Sequence, residues 1–472
     1  MKLYKNATFY SMNDKGEIYN QILTNDGLII ACGDDCNLFE ANEVIDLNNM
    51  FVYPGFIDAH IHLIGLGRKL SSINISELRN KDDVVNRIHS IFDNENLRIE
   101  GYFDCGITKD DLDFVSNKNI IILRHNDYHS FTVNSYVLNQ VEINSETGII
   151  TSKEECDKIL PLWSNASKND LENYTLAAIK TLYKYGITNV HTDDLAYFNS
   201  YDETIGVLND VTRNYPMYIN TLINYEIFKD YFKYYPQNKY LQKIQVKIFY
   251  DGTLSSKTAL LKQNYQNETT NGTRIISKNE LEEIVKIVRR KKMGLAIHVI
   301  GDLALTEVVE VLEKYQEDKI IDRIVHASLA DIETIKRICK LNISIDIQPL
   351  FVKSDEQLIK KVISHEPLVY PFAKYIKNGI IVNSSSDAPV EDPNPLFSIY
   401  ELNTIDRVEA IKMYTVNPGI TINDNSGIIK KGYKANFTVF SKDIMILDRK
   451  ELLNDLVELT IINDNIVYRK KD

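Results

Sequence analysis

The stretch from Phe51 to Leu63 constrains the fold more than any other part of this chain. It begins with a run of apolar residues that indicates a buried strand, and the strand ends on two histidines, His60 and His62. Residues two apart on a strand point to the same face, so a His-x-His pair can chelate a metal ion. Imidazole is a ligand that zinc and similar divalent metals accept. Two ordinary strand histidines are the alternative interpretation.

The residues around this pair resemble a known signature. Pro54 and Gly55 turn the chain into the strand, and Asp58 stands two residues before His60, where a carboxylate could orient an imidazole. The run Pro-Gly-Phe-Ile-Asp-Ala-His-Ile-His resembles the first-strand signature of the amidohydrolase superfamily. That resemblance implies a metal-dependent hydrolase with an α/β fold, a (β/α)8 TIM-type barrel.

Strand-like runs alternate with amphipathic stretches over most of the chain, as in βα units around a parallel sheet. Besides the opening strand, the clear strand candidates are Gly186–His191, Met217–Leu222, Val246–Phe249, Leu295–His298, Arg323–His326, Ile343–Gln348 and Ile380–Asn383. Helical stretches such as Asn279–Lys292, Ala304–Tyr315 and Ile332–Lys340 separate several of them. Further runs near Ile73 and Ile121 bring the candidates above eight, so some strands must lie outside the barrel.

The chain divides into a β-rich part at each end and a mixed middle. Its 472 residues are enough for a barrel and a smaller domain. We predict a small β-sandwich domain from residues 1–53 and 425–472, as the resemblance also implies, and a barrel over residues 54–424. The irregular stretch at about 65–170 is predicted to be an insertion on an early βα loop, where it would help to shape the pocket.

The composition of the chain excludes some kinds of binding partner. The net charge is −12 and no dense Lys or Arg run is present, which argues against nucleic acid. No apolar run approaches the roughly 18 residues of a membrane span, and the N-terminus has no signal-peptide core, so we predict a cytoplasmic protein without a membrane partner. Five scattered cysteines argue against a disulfide framework. We expect a homodimer as the oligomeric state, because dimers are the commonest oligomers of soluble proteins.

Four further residues follow the superfamily order of His-x-His, Lys, His, His, Asp. His298 and His326 end strand candidates, Lys247 lies inside one, and Asp387 follows another. The sequences around all four resemble the YtcJ-like branch of the superfamily. The resemblance therefore implies one or two ions, of zinc or another divalent metal, held by ligands among His60, His62, Lys247, His298, His326 and Asp387.

Lys247 carries the most information about the metal site. Burying an ammonium in a barrel is costly, which favours the neutral amine. A neutral amine can react with carbon dioxide, and the resemblance implies that the resulting carboxylated (carbamylated) lysine bridges two metals. A surface or salt-bridged lysine on an edge strand is the alternative.

The predicted mechanism uses a metal-activated hydroxide as the nucleophile. A second metal or His326 would polarise the substrate carbonyl, and Asp387 would act as the general base and acid that moves the proton to the leaving amine. Asp387 could instead belong to a helix cap or turn, because Ser-Ser-Ser-Asp-Ala-Pro also suits those structures.

Two other histidines are weaker candidates for substrate contact. His191 ends a strand and is followed by two aspartates, although an ordinary turn explains that pattern equally well. His129 lies in the predicted insertion. Its segment, Arg124–Ser135, resembles the YtcJ-like branch, but Tyr128 stands where that branch usually has glycine.

The predicted reaction is hydrolysis of a non-peptide C–N amide-type bond in a small molecule, with N-substituted amides or formamides as one suggested class. A deaminase or an ester, lactone or phosphotriester hydrolase is the alternative on the same metal site. Deaminases of the cytosine type carry His-x-x-Glu on the fifth strand, whereas Gly301 stands at that position here. A catalytically inactive scaffold is the non-enzyme alternative, and the presence of all six candidate ligands argues against it.

Overall fold

A computed structural model of the chain describes residues 1–125, 130–164, 166–195, 197–228 and 238–471. The predicted substrate residue His129 lies outside these ranges. Among the described residues, no helix is both long and apolar enough to cross a membrane.

Within the described ranges, eight parallel strands form one sheet in chain order. These strands, labelled β1 to β8, are Phe56–Ile61, Ile187–Thr192, Tyr218–Asn224, Leu241–Phe249, Gly294–Val299, Asp322–His326, Ile343–Ile347 and Ile381–Ser384. Most of their residues are buried, and each strand contains at least two Ile, Val or Leu residues. The predicted α/β barrel is confirmed, and each of its strands overlaps one of the clear candidates.

The two edge strands of this sheet are joined by other parts of the chain. The N–H groups of Ile57 in β1 and Ser384 in β8 donate to the carbonyl oxygens of Tyr414 and Met413, at 2.7 and 2.8 Å. Beyond β8, the N–H of Asp387 donates to the carbonyl of His60 at 2.8 Å. These bonds hold the first and last strands together and nearly close the barrel.

Strands from both ends of the chain form a second, mixed sheet of seven strands within the described residues. In spatial order they are Asn465–Arg469, Val457–Ile462, Phe437–Phe440, Glu43–Pro54, Lys2–Tyr10, Ile18–Asn25 and Leu28–Cys32. The core on this sheet includes Tyr4, Phe9 and Phe437, whose rings meet edge to face. The prediction that both chain ends build one β-rich layer is confirmed.

A third sheet contains the runs near Ile73 and Ile121, which explains the surplus of strand candidates. Its five described strands are, in spatial order, Ile149–Ile150, Phe131–Val133, Ile121–His125, Leu97–Tyr102 and Ile73–Asn74. The short strands Leu329–Ala330 and Leu368–Val369 pair separately.

Helices separate most barrel strands, and their amphipathic character follows the predicted pattern. Lys278–Arg290, for example, begins with a capping box between Ser277 and Glu280 and buries one apolar face. The other α-helices are Leu63–Ser71, Lys81–Ile91, Lys109–Val115, Ser135–Gln140, Lys153–Ser164, Lys168–Lys184, Tyr201–Asn214, Asp302–Lys314, Ile332–Ile338, Phe351–Ser354, Glu356–Val362, Phe372–Lys377, Pro395–Glu401, Arg407–Lys412 and Val416–Thr421. Short 3-10 helices span Gly33–Leu38, Tyr225–Ile227 and Arg449–Leu453.

The chain forms two compact units. One comprises Met1–Leu63, Ala178–Ala196 and Ser200–Asp472 and contains the barrel and the seven-stranded sheet. The other comprises Ile64–Ala177 and Tyr197–Asn199 and contains the five-stranded sheet. The predicted domain boundaries, including the insertion at about 65–170, remain predictions.

Candidate metal centre

A cavity of about 240 Å³ opens where the barrel strands end. Parallel strands carry their last residues to one end of a barrel, so side chains far apart in sequence meet there. The cavity is lined by His60, His62, Lys247, Phe249, Thr253, Leu254, Ser255, His298, Ile300, His326, Phe351, Ser354, Asp355, Asp387 and Val390. All six predicted metal ligands are in this set.

Three of these ligands are close enough to share one ion. One ligand atom from each of His60, His62 and Asp387 lies within 4.8 Å of the others. The Nε2 atoms of both histidines are 3.4 Å from Oδ1 of Asp387. Two donors on a tetrahedral zinc ion, each about 2.0–2.2 Å from it, are separated by roughly 3.3–3.6 Å. The spacing therefore fits a divalent ion.

The backbone of the segment after β8 fixes Asp387 against β1. Asp387 has a left-handed φ of 55°, and the next residue, Ala388, accepts a hydrogen bond from the N–H of His62 at 2.8 Å. Asp58 supports the same junction: its carboxylate accepts from the N–H of His60 at 3.2 Å and from the N–H and hydroxyl of Ser386 at 3.1 and 2.6 Å. The sequence suggested that Asp58 orients an imidazole, whereas its described contacts are with the backbone and Ser386.

Lys247 is buried inside the barrel. Its strand, β4, has a neighbour on each side, and its side chain has no exposed surface. Nζ lies 3.2 Å from Oδ2 of Asp193 and 3.3 Å from Nε2 of His60. Lys247 is therefore ion-paired, as the alternative interpretation allowed, but it lies on an interior strand and is buried, whereas that interpretation placed it on the surface or on an edge strand.

His298 and His326 form a second group beside Lys247. Their ring centroids are 4.5 Å apart. Nε2 of His298 lies 3.1 Å from the carbonyl of Gly252, and Nδ1 of His326 lies 2.7 Å from Oε1 of Gln348. Because these oxygens only accept hydrogen bonds, each contacting nitrogen must donate, and the other nitrogen of each ring is left as the metal-binding atom.

The ring of His326 reaches this group through an unusual backbone. Side chains alternate along β6, and Val325 packs with Ala296 of β5 in one interior cluster. Simple alternation would direct His326 away from that side. His326 and Ala327 adopt left-handed φ values of 77° and 46° at the strand end, which turns the chain and brings the ring to the cavity.

The electrostatics favour neutral imidazoles at most positions. Burial, aided by the charge of Lys247, lowers the pKa of His60 well below its ordinary value, and burial lowers that of His298 likewise. Burial would also lower the pKa of His62, but Asp387 outweighs it and raises that pKa to about 9. Burial opposes ionisation of Asp387, yet its bond from His62 holds the carboxyl pKa below the usual value. In this metal-free geometry, a proton on His62 balances the charge of Asp387.

His191 occupies a different position from the six ligands. It is fully buried on β2 and is not part of the cavity lining. Neither ring nitrogen has a hydrogen-bond partner among the described residues, and burial lowers its pKa well below the ordinary value. Its contact with substrate remains a prediction.

Several polar residues that support the site were not predicted from the sequence. Asp193 pairs with Lys247 and accepts a hydrogen bond from Nδ1 of His62 on its carbonyl at 3.1 Å. Gln348 orients His326. Asp251 accepts the N–H groups of Leu260, Ile300 and Gly301 at 2.9, 3.0 and 2.8 Å, which joins the segments after β4 and β5. All three follow a barrel strand within two residues, and that position is the signal that could have found them.

The sequence is similar to known proteins over nearly its whole length. The sequence profile of the family described as "Amidohydrolase family" matches residues 43–468. The Bacillus subtilis (strain 168) protein named "Putative amidohydrolase YtcJ" is 30% identical to the chain, over 99% of each.

Two solved structures share the fold. Uncharacterized metal-dependent hydrolases from Pyrococcus furiosus and Pyrococcus horikoshii OT3 superpose with TM-scores of 0.82 and 0.84. They are 23% and 22% identical to the chain, cover 94% and 95% of it, and are themselves 99% covered. At these low sequence identities, the structural similarity establishes the fold alone.

Proposed function

Because this chain belongs to the amidohydrolase family, we propose that it is a metal-dependent hydrolase that cleaves a non-peptide C–N amide-type bond, such as that of an N-substituted amide or formamide. The observation that carries the proposal is the convergence of His60, His62 and Asp387 within 4.8 Å in one cavity. Lys247, His298 and His326 line the same cavity and complete the donor set.

Two groups of donor side chains, next to each other in the cavity, would hold the metal. His60, His62 and Asp387 form the first group, and His298 and His326 form the second. Lys247 lies beside His60 and lines the same cavity, and as a carbamate it would offer an oxygen to each group. A bound divalent ion would supply Lewis acidity, which activates water and polarises a carbonyl.

Side chains of this protein would transfer the proton during the reaction. Asp387 is a carboxylate at the centre of the donor set, and Nε2 of His60 and Nε2 of His62 each lie 3.4 Å from its Oδ1. It can therefore accept the proton of the attacking water and deliver it to the leaving nitrogen, which needs a proton to depart. His326, held by Gln348, would present its other nitrogen to the metal or to the substrate carbonyl.

The first test is metal content. We would measure ions per chain by plasma mass spectrometry for protein grown with added zinc, in the wild type, in Lys247→Ala and in the control Lys243→Ala. Lys243 is exposed on the same strand, so its replacement tests general effects on β4. We expect about two ions in the wild type and in the control, and a large loss in Lys247→Ala.

Other results would change the proposal. One ion per chain, unaffected by Lys247→Ala, would indicate a mononuclear site. A wild type without bound metal would refute metal-dependent hydrolysis and favour an inactive scaffold. Metal-loaded protein would then be assayed on matched amides, formamides, esters, lactones, phosphotriesters and aminopyrimidines, and turnover confined to the last four classes would replace the amide proposal.

A further inference from the structure

Beyond the metal ligands, the cavity has an apolar wall with one acidic group. Phe249, Leu254, Ile300, Phe351 and Val390 provide the apolar surface. Of the lining residues, all of which are described, Asp355 is the charged side chain outside the six candidate ligands. No arginine lines the cavity, and its single lysine is Lys247, paired with Asp193. The outer wall therefore offers negative charge and no positive charge.

A short helical segment determines where Asp355 lies. The N–H of Asp355 donates to the carbonyl of Phe351 at 2.8 Å, so the two residues are one helical turn apart on the same face. The ring of Phe351 stacks on the ring of His326 with centroids 6.0 Å apart and planes 9° apart. Since one helical turn rises about 5.4 Å, Asp355 lies roughly that distance along the helix from Phe351, whose ring contacts His326.

The fold leaves the carboxylate of Asp355 only partly satisfied. The hydroxyl of Tyr370 donates to Oδ2 at 2.5 Å. No described residue donates to Oδ1, and no described lysine or arginine pairs with the carboxylate. The side chain does not cap the helix Glu356–Val362 that it precedes. Burial raises the pKa of Asp355, partly offset by the Tyr370 hydrogen bond, which is the sign of an acid whose charge the protein does not neutralise.

We propose that Asp355 is a specificity-determining residue that binds a positively charged nitrogen carried by the substrate, while the substrate's apolar part packs against Phe351 and Leu254. The inference rests on the proposed function in that it takes this cavity to be the substrate site. A half-buried carboxylate with an unused oxygen gains most from a cationic partner, because pairing removes the cost of its uncompensated charge. An anionic group at this position would be repelled.

Choline and 3,3-dimethylbutan-1-ol provide a direct test, because they share shape and hydroxyl group and differ by one charge. We would titrate both into the full-length protein by calorimetry at low ionic strength, in the wild type, Asp355→Asn, Asp355→Glu and the control Lys353→Gln. Lys353 is an exposed charge on the same helical segment. The expected preference for choline in the wild type is about five- to tenfold, as for a partly screened charged contact.

The variants decide the role of Asp355. We expect the preference to fall to about one in Asp355→Asn and to persist in Asp355→Glu and Lys353→Gln. Equal binding of the two ligands, or no binding of choline, in the wild type would overturn the inference, as would a preference that survives in Asp355→Asn. The titration needs no turnover. Choline binding without any amide hydrolysis would thus refute the proposed function alone, and hydrolysis without charge preference would refute this inference alone.

Discussion

Two buried polar clusters lie on the same barrel strands and differ in how completely the fold satisfies them. The inner cluster centres on Arg323 and Asp346, whose side chains have no exposed surface. Nε and Nη2 of Arg323 lie 2.9 and 2.6 Å from Oδ2 of Asp346, and Nη1 lies 3.3 Å from Oε1 of Gln245. Asn383 donates to the remaining oxygen of Asp346 at 2.7 Å. This cluster is complete without a ligand.

The outer cluster, at the cavity, is incomplete. Oδ1 of Asp387 lies 3.4 Å from Nε2 of both His60 and His62, which is longer than an ordinary hydrogen bond, and Nδ1 of His60 is buried without a partner among the described residues. A buried polar atom without a partner costs about 1–3 kcal/mol. The inner cluster therefore serves the fold, whereas the outer cluster brings Nε2 of His60, Nε2 of His62 and Oδ1 of Asp387 to spacings that a bound cation would satisfy.

Replacing Asp387 in the outer cluster should have the largest effect of the changes proposed here, and that effect is on the catalytic rate. Asp387→Asn keeps the shape and tolerates the left-handed φ of 55°, but it removes the proton acceptor. We expect kcat on an active amide to fall by about 10²- to 10⁴-fold. Because Asp387 raises the pKa of His62 to about 9, the variant also loses a charged contact, and the free energy of unfolding should fall by about 1–3 kcal/mol. Full activity in this variant would contradict the role assigned to Asp387.

Breaking the inner cluster should mainly lower the stability of the fold. Asp346→Ala leaves the guanidinium of Arg323 buried without its charge partner, so we expect a loss of about 3–5 kcal/mol in the free energy of unfolding. Urea denaturation measures this loss. The control is Glu313→Ala, which breaks a partly exposed pair with Arg337 of the same 2.6 Å length and should cost at most about 1 kcal/mol. Equal losses in the two variants would show that the inner cluster does not stabilise the barrel through its buried charge.

The smallest expected effect comes from a residue that supports the outer cluster without belonging to it. Gln348→Ala removes the hydrogen bond that orients His326, and such supporting contacts are worth about 10- to 100-fold in metal affinity. Competition with a chromophoric chelator would measure the change. Gln357→Ala, at an exposed position, is the control and should leave the affinity unaltered. An unchanged affinity in Gln348→Ala would mean that packing alone orients His326.

The sequence predicted the barrel strands well for a physical reason. Strands in a parallel sheet are covered on both faces, so each of the eight contains at least two buried or half-buried Ile, Val or Leu residues that the sequence shows as a short strand-like run. Most of the predicted ligands were readable because they lie at or just beyond the end of such a run, as His298 and His326 do, whereas Lys247 lies inside one. Boundaries were less certain: β4 begins at Leu241, five residues before the predicted Val246, because its first residues alternate between exposed and buried.

The sequence did not predict which distant segments of the chain contact each other. No pattern in the sequence indicated that the carboxylate of Asp58 would bond Ser386, which lies 328 residues away. Nor did it indicate that Lys247 would pair with Asp193, or that a left-handed turn at His326 would redirect its ring. Asp355 drew no attention, since a single acid in a helical stretch is ordinary until the cavity wall is known.

The sequence by itself determined the class of fold, the order of the strands and the residue types at their ends, because burial and backbone periodicity act on neighbours along the chain. The tertiary structure alone decided which of those side chains meet. Barrel closure brings β1 against the segment after β8, and with it His60 and His62 against Asp387, so the candidate metal centre exists only once the last strand has joined the first.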